Sequence, residues 1–253
     1  MGDGLAALRA MEYPGRVIVI GRSLGGEWLV GYAVTGRSPS SRARRLVVRS
    51  DSNLYTEPID PKLLASGNPA LLVYPAIVRC KCGVVVSNGA QTTPVHERLC
   101  AEPGASAEQV LASALAAPVM VEGIDVTAYE PDAPNYTPRI TACVRAASAA
   151  MAICRRRPDG GVERTTFDAT ATAPGEGRLL SVYSGANVNP LPSFQGGPIR
   201  IDVDATSAGS LADALWAALA PAPGRDDLRV AVAAVQTAPD APFAIVNRDD
   251  VLA

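Results

Sequence analysis

Uncharged polar side chains follow a run of three valines, residues 84–86, near the middle of the sequence. Three β-branched residues in succession predict a buried strand. Hydroxyl and amide groups at the end of such a rigid element can hold a polar, planar ligand by hydrogen bonding rather than by charge. The same Asn-Gly step is also the commonest signal of a β-hairpin turn, so a pocket wall and an ordinary hairpin both stay open. The residues concerned are Ser87, Asn88, Gly89, Gln91 and Thr92.

The loop of residues 36–42 carries the donor set that holds a phosphate. Arg37 and Arg42 enclose three serines, Ser38, Ser40 and Ser41. Guanidinium forks and hydroxyls are typical phosphate ligands. No Gly-Lys-Ser/Thr ending follows, so this is not a nucleotide P-loop. The alternative is a solvated basic turn that continues through residues 44–49.

Segment 129–140 combines acids, phenols, an amide and a guanidinium at the entry to a predicted strand. Prolines stiffen the segment, which lowers the entropy lost when a ligand is held, although a stiff surface loop is the alternative. Its candidate residues are Glu130, Asp132, Asn135, Thr137 and Arg139. Tyr74, before Pro75 in an apolar run, is either a further candidate or a half-buried core residue whose hydroxyl needs a partner.

The cysteines and the one histidine favour no metal or triad chemistry. Five cysteines are an odd number, and Cys80-Lys81-Cys82 is expected to have no second Cys or His pair at ligand spacing, so a zinc site is not expected. Reduced, mostly buried thiols are the better interpretation. His96 has no Gly-x-Ser-x-Gly nucleophile elbow to accompany it, and a surface or capping role is expected.

Composition indicates a well-packed globule. The chain has 253 residues, 48% of them hydrophobic and 19% charged, with a formal net charge of −2. This composition excludes wholesale disorder and gives no electrostatic argument for nucleic acid binding. No apolar run approaches the roughly 20 residues that cross a bilayer, and the start Met1-Gly2-Asp3-Gly4 lacks an apolar signal core. A cytoplasmic protein without membrane attachment is therefore expected.

The elements that position these residues are predicted by apolar periodicity. Helices are expected over residues 5–12, 107–117 (with Ser106 as N-cap) and 210–219 (with Ser210 as N-cap). Strand pairs 16–21/27–34 and 71–78/82–86 are expected to form hairpins. Further strands are expected at 46–48, 140–144, 151–154, 162–166, 179–182, 199–203, 230–235 and 243–246. Two strand groups with two or three helices indicate an α+β fold of stacked sheets in one domain, residues 1–253.

The order of these signals resembles the archaeal-type IMP cyclohydrolase family. The resemblance is carried, over about residues 13–145, by Gly15-Arg16, Gly21-Arg22, Tyr32, Arg37-Ser38, Arg42, Asn68-Pro69, Tyr74, Ser87-Asn88-Gly89, Thr92, Tyr129-Glu130 and Thr137-Pro138-Arg139-Ile140. It implies a four-layer αββα sandwich like that of the N-terminal nucleophile hydrolases, without their processed nucleophile. It also implies closure of 5-formamidoimidazole-4-carboxamide ribonucleotide (FAICAR) to inosine monophosphate (IMP) with loss of water, and no metal or organic cofactor.

The residues suit that reaction, which requires two poorly reactive groups to be held in contact. Asn88 and backbone N–H groups near Gly89 are candidate donors to the developing oxyanion, with Tyr74 or Arg37 donating toward the same oxygen. Glu130 is the candidate for the amide proton, provided that its pKa is raised. The phosphate is expected on an arginine among Arg16, Arg22, Arg37, Arg42 and Arg139. Ser38, Ser87, Thr92, Asn135 and Thr137 complete the predicted binding set.

Other functions stay open. A paralogue that closes a related ring on a purine-like nucleotide is one, and a non-catalytic purine-nucleotide-binding protein is another. An amidase of the nucleophile-hydrolase type is least favoured because it needs processing to expose a Ser, Thr or Cys. The expected partner is a small purine nucleotide rather than nucleic acid or a membrane, and the sequence leaves a homo-oligomer open.

Overall fold

The computed structural model describes residues 4–60, 62, 69–238 and 240–252. Residues 1–3 and Asn68, which entered the sequence arguments, lie outside the described residues. The helices of the described part are α1 (Ala6–Arg9), α2 (Pro39–Arg42), α3 (Pro69–Leu72), α4 (Thr92–Ala101), α5 (Ala107–Leu115), α6 (Ala208–Ala218) and α7 (Arg248–Leu252). None of them has the length and apolar composition that crossing a membrane requires.

The strands pair antiparallel throughout the two large sheets, so the predicted mixture of helices and antiparallel sheets is confirmed. The first sheet has the order β13 (Ile199–Asp202), β12 (Glu176–Ser181), β1 (Arg16–Arg22), β2 (Trp28–Thr35), β14 (Arg229–Gln236), β15 (Ala244–Asn247). The second has the order β11 (Val162–Asp168), β10 (Ala149–Arg156), β9 (Arg139–Val144), β6 (Gly83–Ser87), β5 (Pro75–Cys80), β4 (Leu54–Pro58), β3 (Arg44–Val48). β7 (Met120–Val121) and β8 (Ile124–Asp125) form a separate ribbon.

Three apolar clusters explain why the strands read as continuous apolar runs. Ile18 and Val30 of the first sheet share one cluster with Val84 and Ile140 of the second. On the opposite face of the first sheet, residues such as Val17 pack in a cluster with α6. Strands covered on both faces need apolar residues at every position, and each fully buried Val, Leu or Ile side chain stabilises the fold by roughly 1.5–3 kcal/mol.

The second sheet has its own helical cover. Val85 and Cys143 point away from the inter-sheet cluster and pack with Leu99 of α4 and Leu111 of α5. Helix α5 begins as the sequence predicts, with the Ser106 hydroxyl accepting the backbone N–H of Gln109. The valine run 84–86 therefore divides its side chains between two cores, two toward the other sheet and one toward the helices.

The Asn88-Gly89 step does not form the hairpin turn that the sequence left open as an alternative. β6 forms a hairpin with the strand that precedes it in the sequence, β5. The residues after β6 lead into helix α4 instead of another strand. The segment that forms α4 contains two threonines and Pro94, which are poor helix formers. Pro94 lies in the first turn, where its missing N–H would have no helical partner, so the helix tolerates it.

Other predicted elements differ in extent. α1 and α5 are shorter than expected, and α6 begins two residues earlier because Ser207, not Ser210, is its N-cap. Leu71 and Leu72 end α3, so the strand predicted over residues 71–78 begins at Pro75. The loop of residues 36–42 contains the short helix α2, and strand β4 was not expected.

Candidate functional site

Residues from one edge of each large sheet line a cavity of about 310 Å³. In the first sheet, Arg16 at the start of β1 pairs with Val34 near the end of β2, and Val17 pairs with Ser181 at the end of β12. The same end of the strands therefore carries Arg16, the loop after β2 and Tyr183 after β12. The antiparallel register thus collects side chains that are far apart in the sequence.

The second sheet contributes the segment before β9. Ser87 at the end of β6 pairs with Thr141 near the start of β9, so the turn after β6 and the segment of residues 130–138 share an edge. Glu130 and Thr137 of that segment line the cavity together with Arg16 and Tyr183.

A buried ion pair at the cavity joins β1 to the segment that precedes β9. Arg16 Nη2 donates to Glu130 Oε1 at 2.5 Å, and Arg139 Nη1 lies 4.0 Å from the same oxygen. Arg16 is 8% exposed, Glu130 4% and Arg139 2%. Taking two charges out of water costs folding free energy, and a contact with only a structural role does not need to carry that cost. Buried ion pairs of this kind are therefore characteristic of functional sites.

Burial sets the protonation of this pair. Desolvation raises the pKa of Glu130, an effect that the charges of Arg16 and Arg139 partly offset. Burial alone would lower the pKa of Arg16, but the neighbouring Glu130 carboxylate leaves that pKa well above its usual value. Arg16 therefore stays a cation, while the pKa of Glu130 lies above that of an exposed carboxylate, which is the direction that favours general acid–base catalysis.

Tyr183 and Thr137 form a second polar group on the cavity wall. The Tyr183 hydroxyl and Thr137 Oγ1 are 2.6 Å apart, and Asp132 accepts hydrogen bonds from both the backbone N–H and the hydroxyl of Thr137. The Tyr183 ring stacks on Tyr13 with centroids 5.7 Å apart. Burial raises the pKa of Tyr183, so its hydroxyl keeps its proton and remains a donor.

The serine-rich loop lies on a more exposed part of the lining. Ser38, Ser40 and Ser41 contribute hydroxyls, and Arg37 and Arg44 contribute guanidinium groups. Arg44 is buried and donates from Nε to the Ser41 carbonyl, while Arg37 donates to the backbone carbonyl of residue 188 at 2.9 Å. This is a donor set suited to a phosphate.

The Ser87–Thr92 turn lies behind the cavity rather than in its lining. The Asn88 amide donates to the Pro138 carbonyl at 2.9 Å and accepts the Ile140 N–H at 2.7 Å. The hydroxyls of Ser87 and Thr92 bond to each other and to the Gly89 carbonyl. These groups are occupied in fixing the start of β9, so the structure assigns Asn88 a scaffold contact in place of the expected contact with an oxyanion.

Gly89 and Gln91 connect that turn to the ion pair. Arg139 Nη1 donates to Gln91 Oε1 at 3.2 Å, and a Cβ at Gly89 would overlap the same nitrogen. Only a residue without a side chain leaves room for the guanidinium there. The turn therefore acts on the cavity through Arg139, which it holds beside Glu130.

Tyr74 also lies outside the lining. It is 2% exposed, and its hydroxyl pairs with that of Tyr32 at 2.8 Å. Burial raises the pKa of Tyr32, and both phenols lie near enough to Arg16 to act on its charge. The structure thus provides the buried hydroxyl partner that the sequence required, at a position beneath the ion pair.

Two of the arginines that were predicted to bind phosphate, Arg22 and Arg42, lie away from the cavity. Arg22 lies at the far end of β1, stacked over Trp28 and donating to the Gly26 carbonyl. Arg42 turns back to the Gly36 carbonyl at 3.1 Å. The residues singled out in the sequence that do line the cavity are Arg16, Arg37, Ser38, Ser40, Ser41, Glu130, Asp132, Asn135 and Thr137.

Further residues line the cavity without having been predicted from the sequence, among them Tyr183, Tyr13, Arg44 and Leu191. Tyr183 follows the apolar run at the end of β12 directly, which is the same strand-end signal that drew attention to Ser87. Tyr13 and Leu191 lie in irregular segments, where no period in the sequence predicts which way a side chain points.

A larger cavity, of about 560 Å³, lies beside α1 and the segment after α6. Its ion pair, Glu12 with Arg225, is exposed to solvent. Exposed pairs contribute little and are common on any surface. We therefore place the functional site in the smaller cavity, where the charges of Arg16 and Glu130 are buried.

Comparison with known proteins identifies the family of this chain. The family described as IMP cyclohydrolase-like protein matches residues 13–237 of the chain. That span begins with Tyr13 and contains every residue that lines the smaller cavity. No curated protein matches the chain. Because the match covers most of the sequence, the chain belongs to the IMP cyclohydrolase-like family.

Proposed function

We propose that this protein is an IMP cyclohydrolase that closes FAICAR to IMP in the smaller cavity. Membership of the family suggests a cyclohydrolase role and a purine nucleotide substrate. The observation that supports the proposal most directly is the buried contact between Arg16 and Glu130 in a cavity that also carries Arg37, Arg44 and Ser38. Glu130 can transfer a proton, and Arg37, Arg44 and Ser38 can hold a phosphate.

The reaction forms one C–N bond and breaks one C–O bond. The carboxamide nitrogen attacks the formyl carbon, and its proton passes to the formyl oxygen to give a cyclic carbinolamine. The hydroxyl then leaves with the proton of the former formamido nitrogen, so that one water is released. No oxidant or reductant is needed, and a single proton-carrying group can serve both steps.

Glu130 is the proposed proton carrier. Its raised pKa makes it a stronger base than an exposed carboxylate, and the nearby charges of Arg16 and Arg139 keep its ionised form accessible. General acid–base catalysis of this kind contributes typically about 10²–10⁴-fold to a rate. Arg16 and the Tyr183 hydroxyl are the proposed donors to the oxygen on which charge develops, in the role first expected of Asn88 and Tyr74.

The fold is consistent with this proposal. We propose that the two sheets and their outer helices form the four-layer αββα arrangement of the N-terminal nucleophile hydrolases without a processed nucleophile. Helix α6 covers one sheet, α4 and α5 cover the other, and an apolar cluster fills the space between the sheets.

An ultraviolet assay with FAICAR tests the function. The purified wild-type protein is expected to convert FAICAR to IMP, whereas Glu130→Gln should lose at least about 10²-fold in kcat with an unchanged far-ultraviolet circular dichroism spectrum. Glu57→Gln is the matched control, because Glu57 pairs with Arg49 at 2.7 Å on the surface.

The assay also separates the other functions. Tight binding of IMP without turnover of FAICAR would contradict catalysis and favour a nucleotide-binding protein. Turnover of a purine-like analogue but not of FAICAR would favour a specialised paralogue. Equal loss of activity in Glu57→Gln and Glu130→Gln would remove Glu130 from the mechanism.

A further inference from the structure

A cluster of metal-binding side chains lies on the outer side of the second sheet, apart from the proposed catalytic cavity. Cys80 ends β5, and His96 and Cys100 are on α4. One ligand atom from each of these three residues lies within 4.8 Å of the other two. None of the three lines the smaller cavity, so this cluster is independent of the proposed cyclohydrolase function.

Secondary structure brings these residues together. His96 and Cys100 are four residues apart on a helix, so their side chains lie on the same face one turn apart. Helix α4 packs in the same cluster as the tip of the β5–β6 hairpin, where Cys80 pairs with Gly83. The hairpin tip also carries Cys82, which packs against that cluster as well.

The spacing matches a tetrahedral ion. Zn²⁺ binds Cys sulfur at about 2.3 Å and His nitrogen at about 2.0–2.1 Å, so two such ligands on one tetrahedral ion are about 3.5–3.8 Å apart. Cys100 Sγ and His96 Nε2 are 3.6 Å apart. The Cys80 sulfur lies within 4.8 Å of both atoms, close enough to complete a three-ligand set.

The charge of the neighbourhood is also suitable. Two thiolates and a neutral imidazole neutralise a divalent ion, and a third thiolate from Cys82 would leave one excess negative charge. Arg145 lies beside this end of α4 and donates to the carbonyls of Leu99 and Glu102. Its guanidinium supplies positive charge next to Cys100.

We propose that Cys80, His96 and Cys100 bind one Zn²⁺ ion, with Cys82 as the fourth ligand. Thiolate and imidazole together select zinc over the oxygen-preferring Mg²⁺ and Ca²⁺. A closed set of four protein ligands makes the site structural, and it links the β5–β6 hairpin to α4. Zinc was not predicted from the sequence, because His96 and Cys100 can be recognised as a pair of ligands only once helix α4 is known.

Titration with ZnCl₂ and CoCl₂ under a non-chelating reductant tests this proposal. One ion per chain is expected to bind, with a saturable rise in thermal midpoint. Cobalt should give the strong visible bands of a tetrahedral site and a thiolate charge-transfer band. Cys100→Ser and His96→Ala should each weaken binding by more than about tenfold.

Two further variants keep the test sharp. Glu97→Gln changes an exposed neighbour on the same helix and should bind zinc like the wild type. Cys82→Ser should reduce the visible cobalt bands if Cys82 is the fourth ligand. Equal cobalt spectra in Cys100→Ser and wild type, or no uptake of Zn²⁺ or Co²⁺ by the fully reduced wild-type protein, would overturn the proposal.

Discussion

Arg16 and Glu130 are 114 residues apart in the sequence, yet a guanidinium nitrogen of one lies 2.5 Å from a carboxylate oxygen of the other. Arg16 begins β1 of the first sheet, and Glu130 lies in the segment that leads into β9 of the second, so the pair connects the two halves of the fold at the proposed site. Both groups are buried. If one of them is removed, water therefore cannot take its place beside the other.

Arg16→Met should destabilise the protein in a pH-dependent way. Without its main cationic neighbour, the already raised pKa of Glu130 rises further. A carboxyl whose pKa is higher in the folded state contributes stability that is present below its unfolded pKa and lost as the pH rises through its folded pKa. The loss relative to wild type should therefore be small near pH 4 and reach about 3–5 kcal/mol near pH 8.

Denaturant unfolding of both proteins at the two pH values measures this difference. Glu130→Gln combined with Arg16→Met should remove this pH dependence, because the buried carboxyl that titrates is gone. A difference between wild type and Arg16→Met that is the same at both pH values would contradict the coupling of the two residues.

Gly89→Ala should impair turnover through Arg139. The added methyl group overlaps Arg139 Nη1, so the guanidinium must leave its position beside Glu130. We expect a stability loss of about 1–3 kcal/mol and a clear fall in kcat. Steady-state kinetics with FAICAR and thermal unfolding measure the two effects.

Gly104→Ala is the matched control for this substitution. A Cβ at Gly104 meets no heavy atom within 4 Å among the described residues. Its kcat and stability should therefore stay close to wild type. Wild-type kcat in Gly89→Ala would show that the position of Arg139 does not matter for turnover.

The Tyr32–Tyr74 hydroxyl pair should behave as a stability contact. Changing either residue alone to Phe leaves a buried hydroxyl without its partner and should cost about 1–3 kcal/mol, whereas the double change should cost less than the sum. A double-mutant cycle by urea unfolding measures the coupling. A selective loss of kcat in Tyr74→Phe, with normal stability, would return Tyr74 to the catalytic group.

Arg37→Ala should weaken substrate binding with little effect on kcat. Arg37 lines the proposed phosphate end of the cavity, whereas Arg42, five residues on, lies outside the lining. We expect KM for FAICAR to rise about tenfold or more in Arg37→Ala and to change little in Arg42→Ala. Competition by inorganic phosphate should weaken in parallel, and an equal rise of KM in both variants would contradict the assignment.

Local patterns in the sequence predict much of the scaffold. The β1–β2 hairpin, the strands around residues 140–154 and the helix begun by Ser106 all appear where the periodicity and capping signals place them. These signals succeed because they depend on neighbouring residues alone. Helix α4 was missed for the same reason, since Pro94 and two threonines lower its local propensity while Val95 and Leu99 gain burial only in the assembled fold.

The candidate site shows where local information ends. The residue types near Glu130 and Arg37 indicated polar chemistry, and the tertiary structure does bring both to one cavity. Asn88 and Tyr74 carried the same kind of signal, but the structure uses their polar groups on the backbone and on another phenol. A polar side chain at a strand end can face a cavity or a neighbouring segment, and only the packing decides between them.

The sequence by itself determined most of the strands, the helix begun by Ser106, the family, and the polar residues from which a site would be built. The tertiary structure decided which of them meet, because the contacts between Arg16 and Glu130 and between Cys80 and Cys100 depend on sheet register and helix packing. Those contacts join segments whose separation along the chain carries no signal of their distance in space. The polar turn after Val86 therefore became a support for Arg139, and the isolated cysteines became a candidate zinc site.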